Sequence, residues 1–292
     1  MNGAKERGQR GRRGGQAGFT LVEAVMVIVI VGIIGGIVAV FIRVPVQAYT
    51  DLAARAELGD IADTAVRRVG RDVRLALPNS VVASGDGRTM SFLLTKTGGR
   101  YQAVEDALAG GTPLDFENAA VLDFNVLGAM PAGQQAIVPG DFIVVYNLGP
   151  GYEPANANPA GGAPASLNVA AVAAVAGNVI TMAANPFASA NPVMSSPTSR
   201  FQVVTGTVTY VCDTVNRTLT RFWADRQLAA AGTLPPPGVG ALLAENVSAC
   251  AFNYVQPANT RSALVEMTLT LQRPGNAEFI KLFHQVHVDN TP

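Results

Sequence analysis

The sequence predicts an α+β protein, in which a long N-terminal helix, membrane-spanning in its first half, packs on an antiparallel β-sheet head. The first observation is a run of nineteen uncharged residues, 24–42, that follows a basic N-terminal tail. As a helix this run spans about 28 Å, close to the hydrocarbon thickness of a bilayer. The second observation is that short β-type runs bounded by Gly, Pro or Asn replace helical periodicity after residue 80.

Charge is distributed unevenly along the 292 residues, although the formal net charge is zero. Residues 1–18 carry a net charge of +4, and the remainder carries −4. The acidic balance of the body argues against a nucleic-acid partner. A basic tail beside an apolar segment is typical of an orientation signal that keeps the tail in the cytoplasm and sends the remainder outward. The basic residues of the tail are Lys5, Arg7, Arg10, Arg12 and Arg13.

The junction between the basic tail and the apolar run reads GFTLVEAVMVIVIVG, starting at Gly18. This stretch resembles the class III signal of type IV prepilins and type II secretion pseudopilins. In that family a prepilin peptidase cuts after the glycine, and the same enzyme methylates the amine of the next residue. The resemblance therefore implies cleavage between Gly18 and Phe19, N-methylation of Phe19, and a cleaved leader over residues 1–18.

Glu23 stands alone as a charged residue at the edge of the apolar run. A carboxylate within a membrane helix is costly and usually implies a partner. In the resembled family the glutamate at this position pairs with the N-terminal amine of a neighbouring subunit and sets the axial register of the filament. The resemblance gives Glu23 that role in assembly. The alternative is an interfacial glutamate that reaches toward water and has no partner.

The N-terminal helix is predicted in two parts. Residues 19–44 form the transmembrane or filament-core helix, and Pro45 ends the apolar run and kinks the helix. Residues 45–78 form an amphipathic stem that ends at Pro78-Asn79. The apolar stripe of the stem comprises Leu58, Ala62, Ala65, Val69, Val73 and Ala76. Three charged pairs at i,i+4 are expected on exposed faces, namely Asp51–Arg55, Asp63–Arg67 and Arg68–Asp72.

Residues 79–292 are predicted to form a β-rich periplasmic head. Residues 152–199 contain a single charge and are predicted to be a loop or an insertion, with a hairpin turning at Gly177-Asn178. The C-terminal half alternates apolar and polar residues, which predicts one antiparallel sheet with one buried face. The predicted strands lie within 91–95, 121–127, 141–148, 200–213, 218–225, 246–255, 262–272 and 278–288.

Cys212 and Cys250 are the two cysteines of the chain. Both follow the apolar segment on the side predicted to face outward, where a cysteine pair usually forms a disulfide. The disulfide would tie two strands of the sheet together. Two buried free thiols are the alternative.

Catalytic and metal-binding motifs are absent from the sequence, so we expect no enzyme, no cofactor and no metal. His284 and His287 are three residues apart in a predicted strand and therefore point to opposite faces. Asp213, with Thr214 and Asn216, forms a thin cluster of oxygen groups, for which a plain turn is the simpler interpretation.

The C-terminal sequence contains VTYVC, LTR, LLAENVSACAFNY and LFHQVHVDNTP in this order. This order resembles minor pilins of MSHA (mannose-sensitive haemagglutinin) pili, and more loosely the J-type minor pseudopilins of type II secretion. The resemblance implies a single-pass inner-membrane precursor with a pilin-like fold that later enters a filament, in initiation or tip assembly. It also implies three kinds of partner: the prepilin peptidase/methylase, other minor and major pilins, and the inner-membrane assembly platform.

Two alternatives remain open from the sequence. One is the J-type pseudopilin of a secretion system. The other is a membrane-anchored or Sec-secreted β-domain that binds a ligand and is not cut by a prepilin peptidase. In the Sec-secreted case the mature chain would begin at Tyr49, because Val46-Gln47-Ala48 resembles a signal-peptidase site.

Overall fold

The structure is a computed structural model that describes residues 18–158, 166–229, 232–255, 261–273 and 278–292. The predicted leader falls on residues 1–18, and of these residues 1–17 lie outside the described residues. The chain divides into two compact units, one ending at Ala54 and the other beginning at Arg55. The described elements are the helix α1 (Leu21–Arg74), the short 3-10 helices Val104–Ala109, Gly133–Gln135 and Pro186–Ser189, and the strands β1 (Val82–Ala83), β2 (Thr89–Tyr101), β3 (Asp123–Leu127), β4 (Phe142–Val144), β5 (Val169–Ala176), β6 (Val179–Met182), β7 (Arg200–Asp213), β8 (Thr218–Asp225), β9 (Val239–Glu245), β10 (Val247–Val255), β11 (Ser262–Gln272) and β12 (Phe279–Asp289).

The first unit contains the apolar part of α1, and residues 18–43 are all exposed within it. Among the described residues, α1 is the one helix long and apolar enough to cross a membrane. A helix that is apolar on every side is stable when lipid or other helices surround it. The helix is continuous through Pro45, which joins its two predicted parts.

The stem part of α1 packs its apolar stripe into the head. Leu58, Ala62, Ala65, Val69 and Val73 are all buried, which confirms the predicted stripe. The helix ends at Arg74, four residues before the predicted stop at Pro78. Basic residues in the last turn of the helix complement the negative end of its dipole.

Of the three predicted charge pairs, Asp63–Arg67 and Arg68–Asp72 form in the structure and Asp51–Arg55 does not. Arg67 and Asp63 form the expected exposed pair, with 2.6 Å between Nε and Oδ2. Arg55 pairs instead with Glu278, at 2.6 Å, so the predicted pairing of Arg55 with Asp51 is wrong. The long-range pair brings the stem next to the start of β12, a contact that sequence spacing alone does not reveal.

Asp72 lies in the core between the helix and the larger sheet. The prediction that this residue lies on an exposed face of the helix is therefore wrong. Its exposed fraction is 5%. One carboxylate oxygen accepts hydrogen bonds from Arg221 Nε at 2.6 Å and from the Tyr210 hydroxyl at 2.8 Å. The other oxygen lies 3.3 Å from Arg68 Nε. The guanidinium of Arg221 also stacks over the ring of Trp223, 5.6 Å from its centroid.

The strands form two antiparallel sheets, where the sequence predicted one sheet for the C-terminal half. The larger sheet has the order β1-β2-β3-β6-β5-β4-β7-β8-β9, and the smaller has β10-β11-β12. One residue, Asn246, separates β9 from β10 and has a positive φ of 60°. This conformation turns the chain, so that β10 leaves the larger sheet and begins the smaller one.

Six strands of the larger sheet close into a ring in the order β2-β3-β6-β5-β4-β7, because β7 also pairs with β2. The ring encloses its own apolar core, which includes Phe124, Ile143, Ile180 and Phe201. Gly99 of β2 allows this closure, since a Cβ there would lie 2.7 Å from the Phe201 ring.

The segment predicted as a loop or an insertion, residues 152–199, supplies two of the ring strands. β5 and β6 form a hairpin whose turn is Gly177-Asn178, which confirms the predicted turn. The middle of the chain is therefore part of the sheet framework. The rest of the segment's described residues run between strands and include the 3-10 turn Pro186–Ser189.

A second core joins α1 to both sheets. Its members include Val69 from the helix, Phe92 and Val208 from the larger sheet, and Met267 and Val286 from the smaller sheet. A disulfide joins Cys212 of β7 to Cys250 of β10. The disulfide therefore links the two sheets. The prediction that it joins two strands of one sheet is wrong in this respect.

Replacing Asp72 by Asn should lower the free energy of unfolding by about 3–5 kcal/mol, because the buried Arg221 charge then has no countercharge. We would measure this by urea titration of the full chain in detergent. The fluorescence of Trp223, the single tryptophan, reports on the same contact. The matched control is Asp63→Asn, which removes an exposed pair and should leave the free energy of unfolding nearly unchanged. Equal losses in the two variants would contradict the assigned role of Asp72.

Candidate functional site

Thr20 sets the start of α1. Its hydroxyl oxygen accepts the backbone N–H of Glu23 at 3.3 Å, and its carbonyl accepts the N–H of Ala24 at 3.1 Å. This is the arrangement of a helix N-cap, which satisfies a backbone donor of the first turn. The helix therefore begins two residues after Phe19, the first residue beyond the predicted cleavage point.

Glu23 lies in the first turn of the helix with its side chain exposed. The positive end of the helix dipole stabilises a carboxylate there by about 0.3–1 kcal/mol. Within the described part of the chain no cationic side chain pairs with this carboxylate. The backbone N–H of Glu23 is used by Thr20, while its side chain stays available to a cation from another chain.

Gly18 and Phe19 are not explained by packing within the chain. A Cβ built on Gly18 meets nothing within 4 Å, and no left-handed φ is recorded there. Phe19 is 74% exposed, although it is a large apolar side chain. The residue types at these two positions therefore fit recognition by another protein better than a requirement of this fold.

The Asp213 cluster closes a turn between β7 and β8. The Asp213 carboxylate accepts the backbone N–H groups of Val215 and Asn216 at 2.9 and 2.8 Å. It also accepts the Asn216 side-chain amide at 2.6 Å. These hydrogen bonds, with those from Asn216 foremost, hold the pKa of Asp213 below its ordinary value. The described ranges contain no group of three His, Cys, Asp or Glu residues placed to hold a metal ion.

The two histidines lie on opposite faces of β12, as their spacing predicts. His284 faces α1 above Gly70, where an added Cβ would lie 2.9 Å from His284 Nε2. His287 is exposed on the other face. Gly70 therefore leaves the space in which the imidazole of His284 packs against the helix.

Buried asparagines form a polar network that the sequence analysis did not identify. The Asn79 side-chain amide donates to the carbonyls of Asn147 and Asn290, at 2.8 and 3.2 Å. Asn147 donates to the Pro78 carbonyl at 2.7 Å, and Asn290 donates to the Tyr254 hydroxyl at 2.8 Å. This network ties the residues after the helix to those after β4 and after β12. The one signal in the sequence was the Pro78-Asn79 stop. In the structure Asn79 has a positive φ of 61°, which asparagine adopts more readily than most residues.

Comparison with known proteins finds one match. Residues 13–39 match the family model of the prokaryotic N-terminal methylation motif, a region that includes Gly18, Phe19 and Glu23. The match covers under a tenth of the chain. No curated protein and no solved structure matches the chain.

The methylation motif and the fold are both consistent with a pilin-like protein. The N-terminal methylation motif supports a substrate of prepilin peptidase that assembles with other pilins. The helix α1, with its exposed apolar part, fits a membrane-anchored pilin. The long apolar helix followed by an antiparallel β-sheet domain has pilin-like α+β architecture. The chain thus carries the methylation motif and the architecture of the type IV pilin-like proteins.

Proposed function

We propose that this chain is a minor type IV pilin of an MSHA-type filament, of the MshO kind, and that it has no catalytic activity of its own. One observation carries the proposal. Phe19 is exposed, and Glu23, which no cationic side chain of the described residues pairs with, lies in the first turn of a helix whose residues 21–43 are all exposed. A carboxylate beside an exposed apolar helix can be paired and covered by another subunit.

The proposed location rests on the charge distribution, and the proposed processing rests on the N-terminal motif. The basic leader, residues 1–18, stays in the cytoplasm, and residues 19–44 cross the inner membrane once. The head then lies in the periplasm. The Cys212–Cys250 disulfide is consistent with that oxidising compartment. The prepilin peptidase cuts before Phe19 and methylates the new amine.

Assembly transfers the apolar helix from lipid to other pilins. Cleavage creates an ammonium group four residues before Glu23, which is about one helical turn away. In the dry filament core a carboxylate without a cation is unfavourable. Pairing Glu23 with the amine of a neighbouring chain satisfies both charges, and methylation keeps the amine cationic. The same contact fixes the axial register between the two chains.

The proposed role of the head is partner choice during initiation or at the tip of the filament. The resemblance of the C-terminal strands to MSHA-type minor pilins supports this. The partners are the peptidase, other minor and major pilins, and the inner-membrane assembly platform. In this proposal the exposed apolar part of α1 supplies packing within the filament, and the head supplies partner choice.

Mass spectrometry of the chain isolated from membranes tests the processing step. We expect the mature chain to begin at N-methyl-Phe19, and we expect the intact leader in cells that lack the prepilin peptidase. A start at Tyr49, or a retained Met1 when the peptidase is present, would contradict the proposal. Either result would favour a secreted or anchored β-domain.

Replacing Glu23 by Ala tests the assembly step. The variant should be cleaved and methylated normally, yet its amount in sheared filaments should fall at least about tenfold, since the amine of its neighbour loses its countercharge. The matched control is Asp60→Ala, because Asp60 is an exposed acid of the same helix. Normal incorporation of the Glu23 variant, or equal loss in both variants, would show that the carboxylate does not guide assembly.

The J-type pseudopilin of type II secretion is the second candidate, because the N-terminal motif is common to both systems. Deleting the gene separates the two. A minor pilin should be needed for surface filaments and should be present at far lower copy number than the major subunit. Loss of protein secretion with unchanged filaments would favour the pseudopilin.

A further inference from the structure

A cationic groove of about 670 Å³ lies between the stem of α1 and strand β12. Its lining includes three arginines of the helix, Arg67, Arg71 and Arg74, and His284 of the strand. All three arginines are exposed. Arg67 pairs with Asp63 at 2.6 Å, whereas no carboxylate of the described residues pairs with Arg71 or Arg74. The groove is therefore open to anionic side chains.

The arginines project past β12 and not over the core. Gly70 faces the strand, because a Cβ there would lie 2.9 Å from a β12 side chain. A helix turns about 100° per residue, so Val66 and Val73 lie to one side of Gly70, and Arg67 and Arg74 lie to the other. The two valines are buried in the core that joins the helix to the sheets. The two arginines therefore lie above the outer edge of β12.

That outer edge has no partner strand in the described part of the chain. Strand β12 pairs with β11 at all eleven of its positions and is the last strand of the smaller sheet. The Asn290 N–H donates to the Arg261 carbonyl at 2.8 Å, so residue 290 hydrogen-bonds toward β11. Because the bonding direction alternates along an antiparallel strand, the odd-numbered residues of β12 direct their N–H and C=O groups outward. Such backbone groups can bind a further strand.

The face of β12 opposite the helix carries two exposed aromatic side chains. Phe279 and Phe283 are each 60% exposed. The even-numbered side chains point toward the helix and the core, where Val286 and Val288 are buried. An added strand would thus have arginines on one of its faces and phenylalanine rings beside the other.

We propose that the edge of β12 binds an extended segment of another pilin, in which acidic residues alternate with apolar residues. Successive side chains of a strand point to opposite faces of the sheet. On the helix side, acidic residues of the added strand would pair with Arg71 and Arg74. On the other face, apolar residues would cover Phe279 and Phe283, as cross-strand neighbours do in a sheet. The inference rests on the proposed pilin function, because it takes the partner from the same filament.

The direction of the helices excludes an antiparallel pair of β12 strands from two copies of this chain. Gly59 lies beside Ile280 and Gly70 lies beside His284, so the stem and β12 run in the same direction. Two antiparallel β12 strands would point their α1 helices in opposite directions, which is incompatible with anchoring in one membrane. A segment of a different pilin has no such restriction, since parallel and antiparallel strands alternate their side chains in the same way.

The other described edges of this chain do not fit the groove either. Strand β9 has one acidic residue, Glu245, at its end, and β10 has none. The Phe252 N–H of β10 already donates to the Gly87 carbonyl at 2.7 Å. Strand β1 is two residues long. We therefore expect the partner to be a different chain.

A synthetic peptide of alternating glutamate and valine tests the chemistry of this edge. Its binding to the full chain in detergent is measured by the fluorescence anisotropy of a dye on the peptide. We expect saturable binding, and binding at least about tenfold weaker for the matched peptide of lysine and valine, because lysine would face the arginines. No binding of the glutamate peptide, or equal binding of the two peptides, would overturn the proposal.

Charge reversal locates the binding to the groove. The paired change Arg71→Glu and Arg74→Glu should weaken the glutamate peptide at least about tenfold and allow the lysine peptide to bind. The matched control is Arg226→Glu, which changes an exposed arginine after β8 and should leave both affinities as they were. Unchanged binding in the paired variant, or equal loss in the control, would contradict a site at this edge.

A proline variant tests the backbone contact. Gln285→Pro removes an N–H that points away from β11, and an edge strand tolerates proline at such a position. The glutamate peptide should no longer bind this variant, whereas Gln285→Ala should bind it normally. Fluorescence of Trp223 during urea titration checks that the proline variant is folded. Undiminished binding to the folded variant would overturn strand addition, and the charge variants test the same contact without altering the backbone.

Photo-cross-linking in cells tests the identity of the partner. A photoreactive phenylalanine analogue replaces Phe283 or, as a control, Ala249, which is exposed on β10. We expect a link from position 283 alone, to an alternating acidic and apolar segment of another chain that carries the prepilin motif. No link, a link to a second copy of this chain or to a protein without the motif, or equal links from both positions would overturn the proposal. The N-terminus of the same sample separates the two hypotheses: N-methyl-Phe19 without the expected link refutes this contact alone, whereas an unprocessed chain refutes the pilin function.

Discussion

The first part of α1 exposes apolar side chains on every side of the helix. The need to cover this surface is the constraint on which the placement of Glu23 and the proposed assembly depend. Residues 24–42 are exposed on every side of the helix. Water disfavours such a surface, whereas a bilayer or a bundle of similar helices accepts it, because a helix satisfies its own backbone groups. Glu23 is the one charge between residues 18 and 42. Its position at the first turn keeps it at the edge of the apolar region, where a cation from a second chain can reach it.

The stem is held on the head by a buried polar contact as well as by apolar packing. Asp72 receives Arg221 and Tyr210 from adjacent strands of the larger sheet, at 2.6 and 2.8 Å. Burial, with the charge of Asp72, raises the pKa of Tyr210, so the hydroxyl remains neutral and donates a hydrogen bond to the carboxylate. A buried ion pair contributes little net stability, because the cost of removing the two charges from water offsets their attraction. We infer that it fixes the rotation of the stem helix about its axis, so that the exposed side of the stem is always the same.

Patterns between neighbouring residues in the sequence predicted the individual helix and strands, because these elements form from residues that are close in sequence. The stripe from Leu58 to Val73 followed from its helical spacing, and β11 and β12 followed from alternation. The ring of six strands has no such signal, because β3 pairs with β6 and β4 with β7 across long stretches of chain. The burial of Asp72 was missed for the same reason, since Arg221 is 149 residues away. The candidate site at Gly18, Phe19 and Glu23 could be predicted from the sequence, because its residues form a motif that is contiguous in the chain.

The pairing of Glu23 is tested most directly by identifying the group that its carboxylate contacts in assembled filaments. Zero-length carbodiimide coupling joins a carboxylate to an amine only where the two are in contact, and mass spectrometry of isotope-mixed chains distinguishes links within and between chains. We expect an amide between Glu23 and the N-terminal phenylalanine amine of a different chain. A link to the amine of its own chain, or no link at Glu23, would contradict this pairing.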